Sequence, residues 1–193
     1  MTDTVSVFNQ ALSWLGAKRI TSWMDDSNEA QLGRDNFDMI RDAVLEDHAW
    51  RFADKRLILS APLTDDWGAN LFALPVEVIR AYRCFTAANG RNFQRLEWQR
   101  QGEYISTVGT VDTVYCQATV RIENPDKWTP AFTQAFAARL AADLAIPITK
   151  SRQLQADLWS IYQAKLAAAS ATDASQGTSE RTDSVELTNI RWR

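Results

Sequence analysis

Residues 26–59 read DSNEAQLGRDNFDMIRDAVLEDHAWRFADKRLIL, and this stretch decides how the rest of the chain is arranged. Its N-terminal part repeats apolar residues at helical spacing, whereas Leu57, Ile58 and Leu59 form a short apolar run typical of a strand. Trp50 and Phe52 lie where the period changes. The stretch therefore predicts a long helix that runs directly into a strand and joins a helical part of the chain to a β part.

The predicted helix has one apolar side and one acidic edge. Asp26 or Ser27 can serve as its N-cap, and Glu29 lies in the first turn, where the helix dipole favours a carboxylate. At about 100° per residue, the apolar side collects Ala30, Gly33, Phe37, Ile40, Val44 and His48. The acidic edge is formed by Asp35, Asp38, Asp42 and Glu46. We expect the apolar side to be buried, with Trp50 and Phe52 closing the core at the structural junction between helix and strand.

Composition limits the classes of protein to which the chain can belong. A chain of 193 residues suits one domain and can bury a core without metal ions or disulfides. Its two cysteines, Cys84 and Cys116, predict inert free thiols in a reducing, cytosolic setting. No apolar run reaches the ~20 residues of a membrane helix, and the net charge of -3 disfavours tight nonspecific nucleic-acid binding. Eight tryptophans favour protein assembly.

Residues 57–126 are predicted to form an antiparallel β insertion. Short runs rich in β-branched and aromatic residues alternate there with proline, glycine and asparagine, which indicates about five or six strands. Asn89 and Gly90 predict a tight turn between strands at 78–85 and 92–98.

Helical spacing returns after the β insertion. Thr129 followed by Pro130 is an N-cap signal, and an alanine-rich helix follows that Pro147 is predicted to break. A last helix is predicted over 151–171.

These patterns predict an α+β fold that is mainly an α-helical bundle with an antiparallel β insertion and an extended C-terminal tail. Residues 1–56 and 127–171 would form the bundle, and residues 57–126 would form the insertion. Residues 172–193, rich in Ser, Thr and Asp, would form a flexible tail that becomes ordered on assembly.

Residues that could carry chemistry lack the sequence context that the chemistry needs. His48 is the only histidine, no zinc-ligand spacing surrounds it, and we expect a buried or capping role. The acidic edge could hold a divalent cation, but a solvated helix face, relieved by Arg34 and Arg41, is the favoured interpretation. Since glycine-rich phosphate loops and nucleophile elbows are also absent from the sequence, we expect neither an enzyme nor a cofactor.

A basic and aromatic pattern marks the predicted hairpin, and it consists of Arg91, Phe93, Arg95, Trp98 and Arg100. Such a pattern can stack nucleic-acid bases. Because Glu97 and Glu103 dilute the positive charge, a protein-binding edge is the favoured alternative.

The C-terminal residues alternate apolar and polar side chains and include a tryptophan next to the last position. We expect this segment to lie extended along a neighbouring subunit or another partner, with plain disorder as the alternative. The candidate contact residues are Val185, Leu187, Ile190, Arg191, Trp192 and Arg193.

Short motifs follow one another along the chain in an order that resembles one protein family. The N-terminal ones are Asn9-x-Ala-Leu-x-x-Leu-Gly16, Ile20, Asp26-Ser27, Ala30, Arg41-Asp42-x-x-Leu45 and Trp50-x-Phe52-Ala53. The later ones are Arg56-x-x-Leu59, Leu74-Pro75, Val78-Ile79-Arg80, Tyr115, Asn124-Pro125, Pro130-x-Phe132 and the alanine-rich 137–144. Together they span nearly the whole chain to about Ala171. They resemble the bacteriophage head-tail adaptor family, also called tail tubular protein A.

The resemblance implies a structural virion protein of the neck or tail, assembled in the host cytoplasm. It implies a homo-oligomeric ring, commonly dodecameric, that binds the portal protein and then a tail nozzle, stopper or tail tube protein. Genomic DNA would pass through the lumen without specific binding. In such adaptors the C-terminal segment reaches the portal or a neighbouring subunit, which would place residues 185–193 at that contact. The alternative is a cytosolic, non-enzymatic oligomeric scaffold protein unrelated to phage.

Overall fold

A computed structural model describes residues 3–60, 62–65, 69–87, 93–108 and 111–175. Within these ranges the helices are α1 (Thr4–Trp14), α2 (Asn28–Asp47), α3 (Pro130–Thr149) and α4 (Arg152–Ser175). The strands are β1 (Asp54–Ser60), β2 (Leu63–Thr64), β3 (Asn70–Ala73), β4 (Val78–Ala87), β5 (Phe93–Arg95), β6 (Trp98–Gln101), β7 (Tyr104–Thr107) and β8 (Thr113–Val120). A single 3-10 turn, Arg51–Ala53, separates α2 from β1, as the change of period predicted.

The helices pack around α3, which contacts α1, α2 and α4. Thr129 caps its N-terminus by accepting a hydrogen bond from the backbone N–H of Phe132, and Pro130 occupies the first turn. Its alanines let the neighbouring helices approach closely, and the fully buried ones are Ala135, Ala137, Ala138, Ala141, Ala142 and Ala145. We call α1 to α4 and their core the helical unit.

The strands form two four-stranded antiparallel sheets that pack face to face. Sheet A has the order β1-β8-β4-β5, and sheet B has the order β2-β3-β7-β6. Leu57, Cys116 and Cys84 lie side by side on the inner face of sheet A and pack with Phe72 and Ile105 of sheet B. We call this part of the molecule the β-sandwich.

The predicted fold class is wrong in its proportions. The fold is α+β, but about 26% of the residues are in strands and about 50% in helices, so it is not a mainly helical bundle. The β part is a two-layer sandwich with a hydrophobic core of its own. The sequence hid this because alternation along a strand shows that one side is buried but not which sheet the strand joins.

Two helix boundaries also differ from the prediction. Helix α3 continues through Pro147 to Thr149 and ends where Lys150 adopts a left-handed backbone with φ of 59°. Helix α4 runs to Ser175, beyond the predicted end at 171. The rest of the predicted C-terminal tail, residues 176–193, lies outside the described residues.

Both polar and apolar contacts hold the helical unit against the β-sandwich. A nitrogen of Arg121, just after β8, lies 2.7 Å from the carboxylate of Asp42 on α2. Arg80 on β4 donates a hydrogen bond to the backbone carbonyl of Glu46 at 3.0 Å. Ile122 packs against both hydrophobic cores. The C-terminal half of α2 is therefore fixed to one end of sheet A.

Candidate functional site

Trp50 lies at the junction between α2 and β1. Its side chain is 0% exposed, and its indole N–H donates to the carbonyl of Val44 at 2.9 Å, which satisfies a carbonyl in the last turn of α2. Its ring meets Phe132 of α3 edge to face, with centroids 5.1 Å apart. Phe52 is half-buried and lies 5.0 Å from the same Phe132 ring. Both residues thus close the core of the helical unit.

Asp173 is a junction residue that the sequence analysis missed. It is only 6% exposed, and its carboxylate accepts the backbone N–H of Arg51 at 3.2 Å, although 122 residues separate the two. The guanidinium of Arg51 in turn donates from Nε to the backbone carbonyl of Asp173 at 2.8 Å. The signal was present in the sequence, because Leu158, Tyr162, Ala169 and Asp173 continue one helical stripe. The polar composition of the following residues hid it.

His48 ends α2 beside Asp173 and is half-buried. Its ring packs edge to face on Trp50 with centroids 4.9 Å apart, and its Nε2 lies 3.4 Å from the Asp173 carboxylate without a hydrogen bond. The predicted capping or buried role therefore matches its position. A cleft of about 400 Å³ opens next to it, and its lining includes Arg51, Arg56, Arg83 and Gln117.

A second polar contact ties α2 to α4. The hydroxyl of Tyr162 donates to the carboxylate of Asp47, and the guanidinium of Arg139 lies over the rings of Trp159 and Tyr162. Burial, reinforced by the hydrogen bond to Asp47, raises the pKa of Tyr162 well above its ordinary value. This tyrosine is therefore neutral across the physiological range and acts as a hydrogen-bond donor.

Two of the four carboxylates on the acidic edge of α2, Asp38 and Asp42, are paired with arginines. The buried guanidinium of Arg41 contacts Asp38 at 2.8 Å and Asp42 at 2.9 Å, and Arg121 also reaches Asp42. Within the described ranges, no three His, Cys, Asp or Glu side chains gather closely enough to hold a metal ion. The edge thus serves as an ion-pair network that joins α2 to β8.

The basic and aromatic residues of the predicted hairpin do not stay together. Strands β4 and β5 pair antiparallel, as predicted, and this places Phe93 and Arg95 on sheet A. Trp98 and Arg100 lie on β6, which belongs to sheet B. Arg91 lies outside the described residues. The set is therefore divided between two sheets and does not form one surface.

The outer face of sheet A collects basic and aromatic side chains from all four of its strands. The register places Arg56 beside Gln117 and Arg83, and it places Ile58 beside Tyr115, Phe85 and Arg95. Phe93 meets Tyr115 edge to face with centroids 4.9 Å apart. We call this surface the open face, and its members are Arg56, Ile58, Arg83, Phe85, Phe93, Arg95, Tyr115 and Gln117.

The outer face of sheet B has no charged side chain among its paired residues. Its two rows across the strands are Leu63, Leu71, Ser106 and Gln99, and then Ala73, Tyr104 and Gln101. Leu63 is 58% exposed. The two outer faces of the β-sandwich therefore differ in chemistry.

Cys84 and Cys116 lie directly opposite each other on β4 and β8, and both are free and buried, as predicted. Their mutual hydrogen bond and burial hold the pKa of Cys84 well above its ordinary value. A protonated thiol is a poor nucleophile, so Cys84 acts as a small apolar core residue.

Comparisons with known proteins leave the family of the chain open. A scan against models of known protein families found no match, and a search of curated proteins found no relative. Within the described part of the chain, none of the helices combines the length and apolar character needed to cross a membrane. The predicted contact residues Val185, Leu187, Ile190, Arg191, Trp192 and Arg193 lie outside the described residues.

Proposed function

We propose that the chain is a structural, non-enzymatic virion protein: a head-tail adaptor that forms a ring on the portal protein of a phage. The ring would extend the DNA channel and present a binding surface to the next tail component. Subunits would dock through their C-terminal residues 185–193 on the portal or on a neighbouring subunit, in line with the sequence resemblance.

The observation that carries the proposal is that the residues of the resemblance occupy positions on which this fold depends. The side-chain amide of Asn9 donates to the carbonyl of Ile20 at 2.8 Å and accepts its N–H at 2.9 Å, so two motif residues fix the turn after α1. Ser27 caps α2 by accepting the N–H of Ala30. These pairings support the motif order, since these motif residues stabilise specific local contacts.

The motifs in the second half of the chain behave in the same way. Asn124 accepts the N–H of Asp126 and starts the 3-10 turn Pro125–Lys127, in which Pro125 is buried. Phe132, from the Pro130 motif, packs on Trp50 from the junction motif. Motifs separated by about 80 residues thus meet in one core, as expected for a pattern that describes a complete fold.

The test compares the full chain with a version truncated after Ser175 for binding to the portal protein encoded in the same gene neighbourhood. The cut follows Ser175 because Asp173 belongs to the junction, and a shorter version would disturb the folded body. A full-length variant with the sequence of 176–193 shuffled is the matched control for length and composition. Sedimentation velocity measures the size of the complexes.

We expect only the natural full chain to form a large, defined complex with the portal protein. Binding by all three versions would place the docking surface in the folded body and contradict the proposed role of 185–193. Binding by none of them would contradict the adaptor proposal and favour an oligomeric scaffold unrelated to phage.

A further inference from the structure

The open face of sheet A and the cleft at the junction form one continuous surface. Arg56, Arg83 and Gln117 belong to both, because the row that they form across the sheet is also part of the wall of the cleft. Arg51 lines the cleft at its helical side. A ligand lying along the sheet would therefore meet the cleft without crossing an intervening element.

Arginines are spaced across this surface at distances set by the sheet. Arg56 and Arg83 lie on strands separated by β8, so their backbones are about 10 Å apart. Arg83 and Arg95 are diagonal neighbours on adjacent strands, about 7–8 Å apart. All three side chains are exposed, and Arg56 and Arg95 form no ion pair with another described residue. The positive charges of Arg56 and Arg95 are therefore available to an anionic ligand.

Carboxylates near the arginines are already engaged. Asp54 accepts a hydrogen bond from the hydroxyl of Tyr82, and Asp173 accepts the N–H of Arg51. Even with the carboxylates of Asp54 and Asp173 counted, the surface has more positively than negatively charged side chains. The whole chain, by contrast, has a net charge of -3. An acidic protein with a local basic surface confines polyanion binding to that surface.

Apolar and aromatic side chains lie next to the arginines on the open face. Ile58 is 69% exposed and Phe93 is 57% exposed, and Tyr115 and Phe85 lie beside Ile58 in the same row. Exposed aromatic side chains on an antiparallel sheet offer stacking surfaces to unpaired bases. A duplex would present only its phosphates here, because its bases are already stacked inside the helix.

We infer that this surface binds single-stranded nucleic acid, with phosphates on Arg56 and Arg95 and bases stacked on Phe93 and Tyr115. The inference is independent of the proposed adaptor role, since it depends on the chemistry of sheet A alone. It differs from the hairpin interpretation of the sequence because Arg56 lies on β1 and Tyr115 lies on β8, and neither strand belongs to the predicted hairpin.

The first test measures binding of the full chain to a fluorescent oligothymidine of about 20 nucleotides by anisotropy at low salt. We expect binding that weakens with salt and that falls at least tenfold in the double variant Arg56→Glu/Arg95→Glu. The matched control is Arg19→Glu/Arg152→Glu, which makes the same change of net charge at two exposed arginines outside the surface. This control should lose less than about threefold.

The second test separates stacking from charge. Phe93→Ala should weaken oligothymidine binding about fivefold or more and leave the salt dependence unchanged, because stacking releases no counterions. A duplex of the same length should bind more weakly than the single strand. Thermal unfolding midpoints of all variants establish that each protein is folded.

Three results would overturn the inference. One is no binding of the natural chain at low salt, and another is an equal loss in the two arginine double variants, which would show an effect of net charge only. The third is a natural chain that self-associates but does not bind the oligonucleotide, and whose self-association is abolished by Arg56→Glu/Arg95→Glu. That result would make the surface a contact between subunits.

Discussion

The helical unit and the β-sandwich are built on cores of different kinds. Large rings in contact fill the helical unit, where Trp23, Phe37, Phe136, Trp128, Phe132 and Trp50 form a connected series. In the described part of the β-sandwich, Phe72 is the only aromatic side chain among the largest fully buried ones, and small residues such as Cys84 and Ala118 complete the core. This difference shows that the helical unit contains most of the buried hydrophobic residues. The β-sandwich has a smaller core and displays two chemically different outer faces.

The strongest test of this comparison is Trp50→Ala. We expect a loss of about 3–5 kcal/mol in the free energy of unfolding, because the variant removes a fully buried ring and leaves a cavity against Phe132. Phe52→Ala is the matched variant, and because Phe52 is half-buried we expect about half of that loss. Urea unfolding followed by circular dichroism measures both. Equal effects of the two variants would show that burial at the junction does not control stability.

A smaller effect is expected from Gly33→Ala in α2. A Cβ atom at Gly33 would lie 2.6 Å from Cζ3 of Trp23 and 2.8 Å from Cζ of Phe8, so the aromatic packing would have to move. Overpacking of this kind should cost about 1–3 kcal/mol, even though alanine favours a helix.

The control for Gly33 is Gly16→Ala, where φ is +64° and a Cβ meets no atom within 4 Å. Backbone strain alone should cost about 1–2 kcal/mol there. Urea unfolding distinguishes the two causes when Trp23→Leu is added. The added change should reduce the cost at Gly33, where the contact with Phe8 remains, and should leave the cost at Gly16 unchanged. A Gly33→Ala protein as stable as the natural chain would contradict the tight packing described for α1 and α2.

The smallest effect concerns one tyrosine in each unit, the buried Tyr162 and the half-buried Tyr82. Burial is the main cause that raises the pKa of Tyr162 and of Tyr82, and each also donates a hydrogen bond to an aspartate. Their folded pKa values exceed the ordinary value of about 10, so the folded protein retains protons that the unfolded chain loses. The stability from each tyrosine is therefore present below pH ~10 and is lost as pH rises above it.

Tyr162→Phe should cost about 1 kcal/mol at neutral pH and flatten the fall in stability above pH ~10. Tyr82→Phe should do the same to a smaller extent, since Tyr82 is the more exposed of the two. Urea unfolding between pH 8 and 11 measures both slopes. A natural chain whose stability rises through this range would contradict the assigned direction of the pKa shifts.

Local patterns predicted most elements but not their assembly. The sequence predicted the periodicity of α2, a cap at Asp26 or Ser27, and the cap at Thr129, because all three depend on neighbours within a few residues. The structure selects Ser27 as the cap of α2. The change from helix to strand near Trp50 is also local. Partition of the strands into two sheets depends on contacts between distant residues, such as Leu57 with Cys116. The open face was hidden for the same reason, because Arg56, Arg83 and Tyr115 become neighbours only through strand pairing.

The contact between Asp173 and Arg51 has a mechanical consequence. Helix α4 is about 36 Å long, and its last turn is held at the point where α2 passes into β1. Tension applied to the chain beyond Ser175 would therefore reach the junction between the two units directly, without first unwinding α4. If the residues after Ser175 bind a partner, the load falls on the Arg51 backbone and on the fully buried Trp50 beside it.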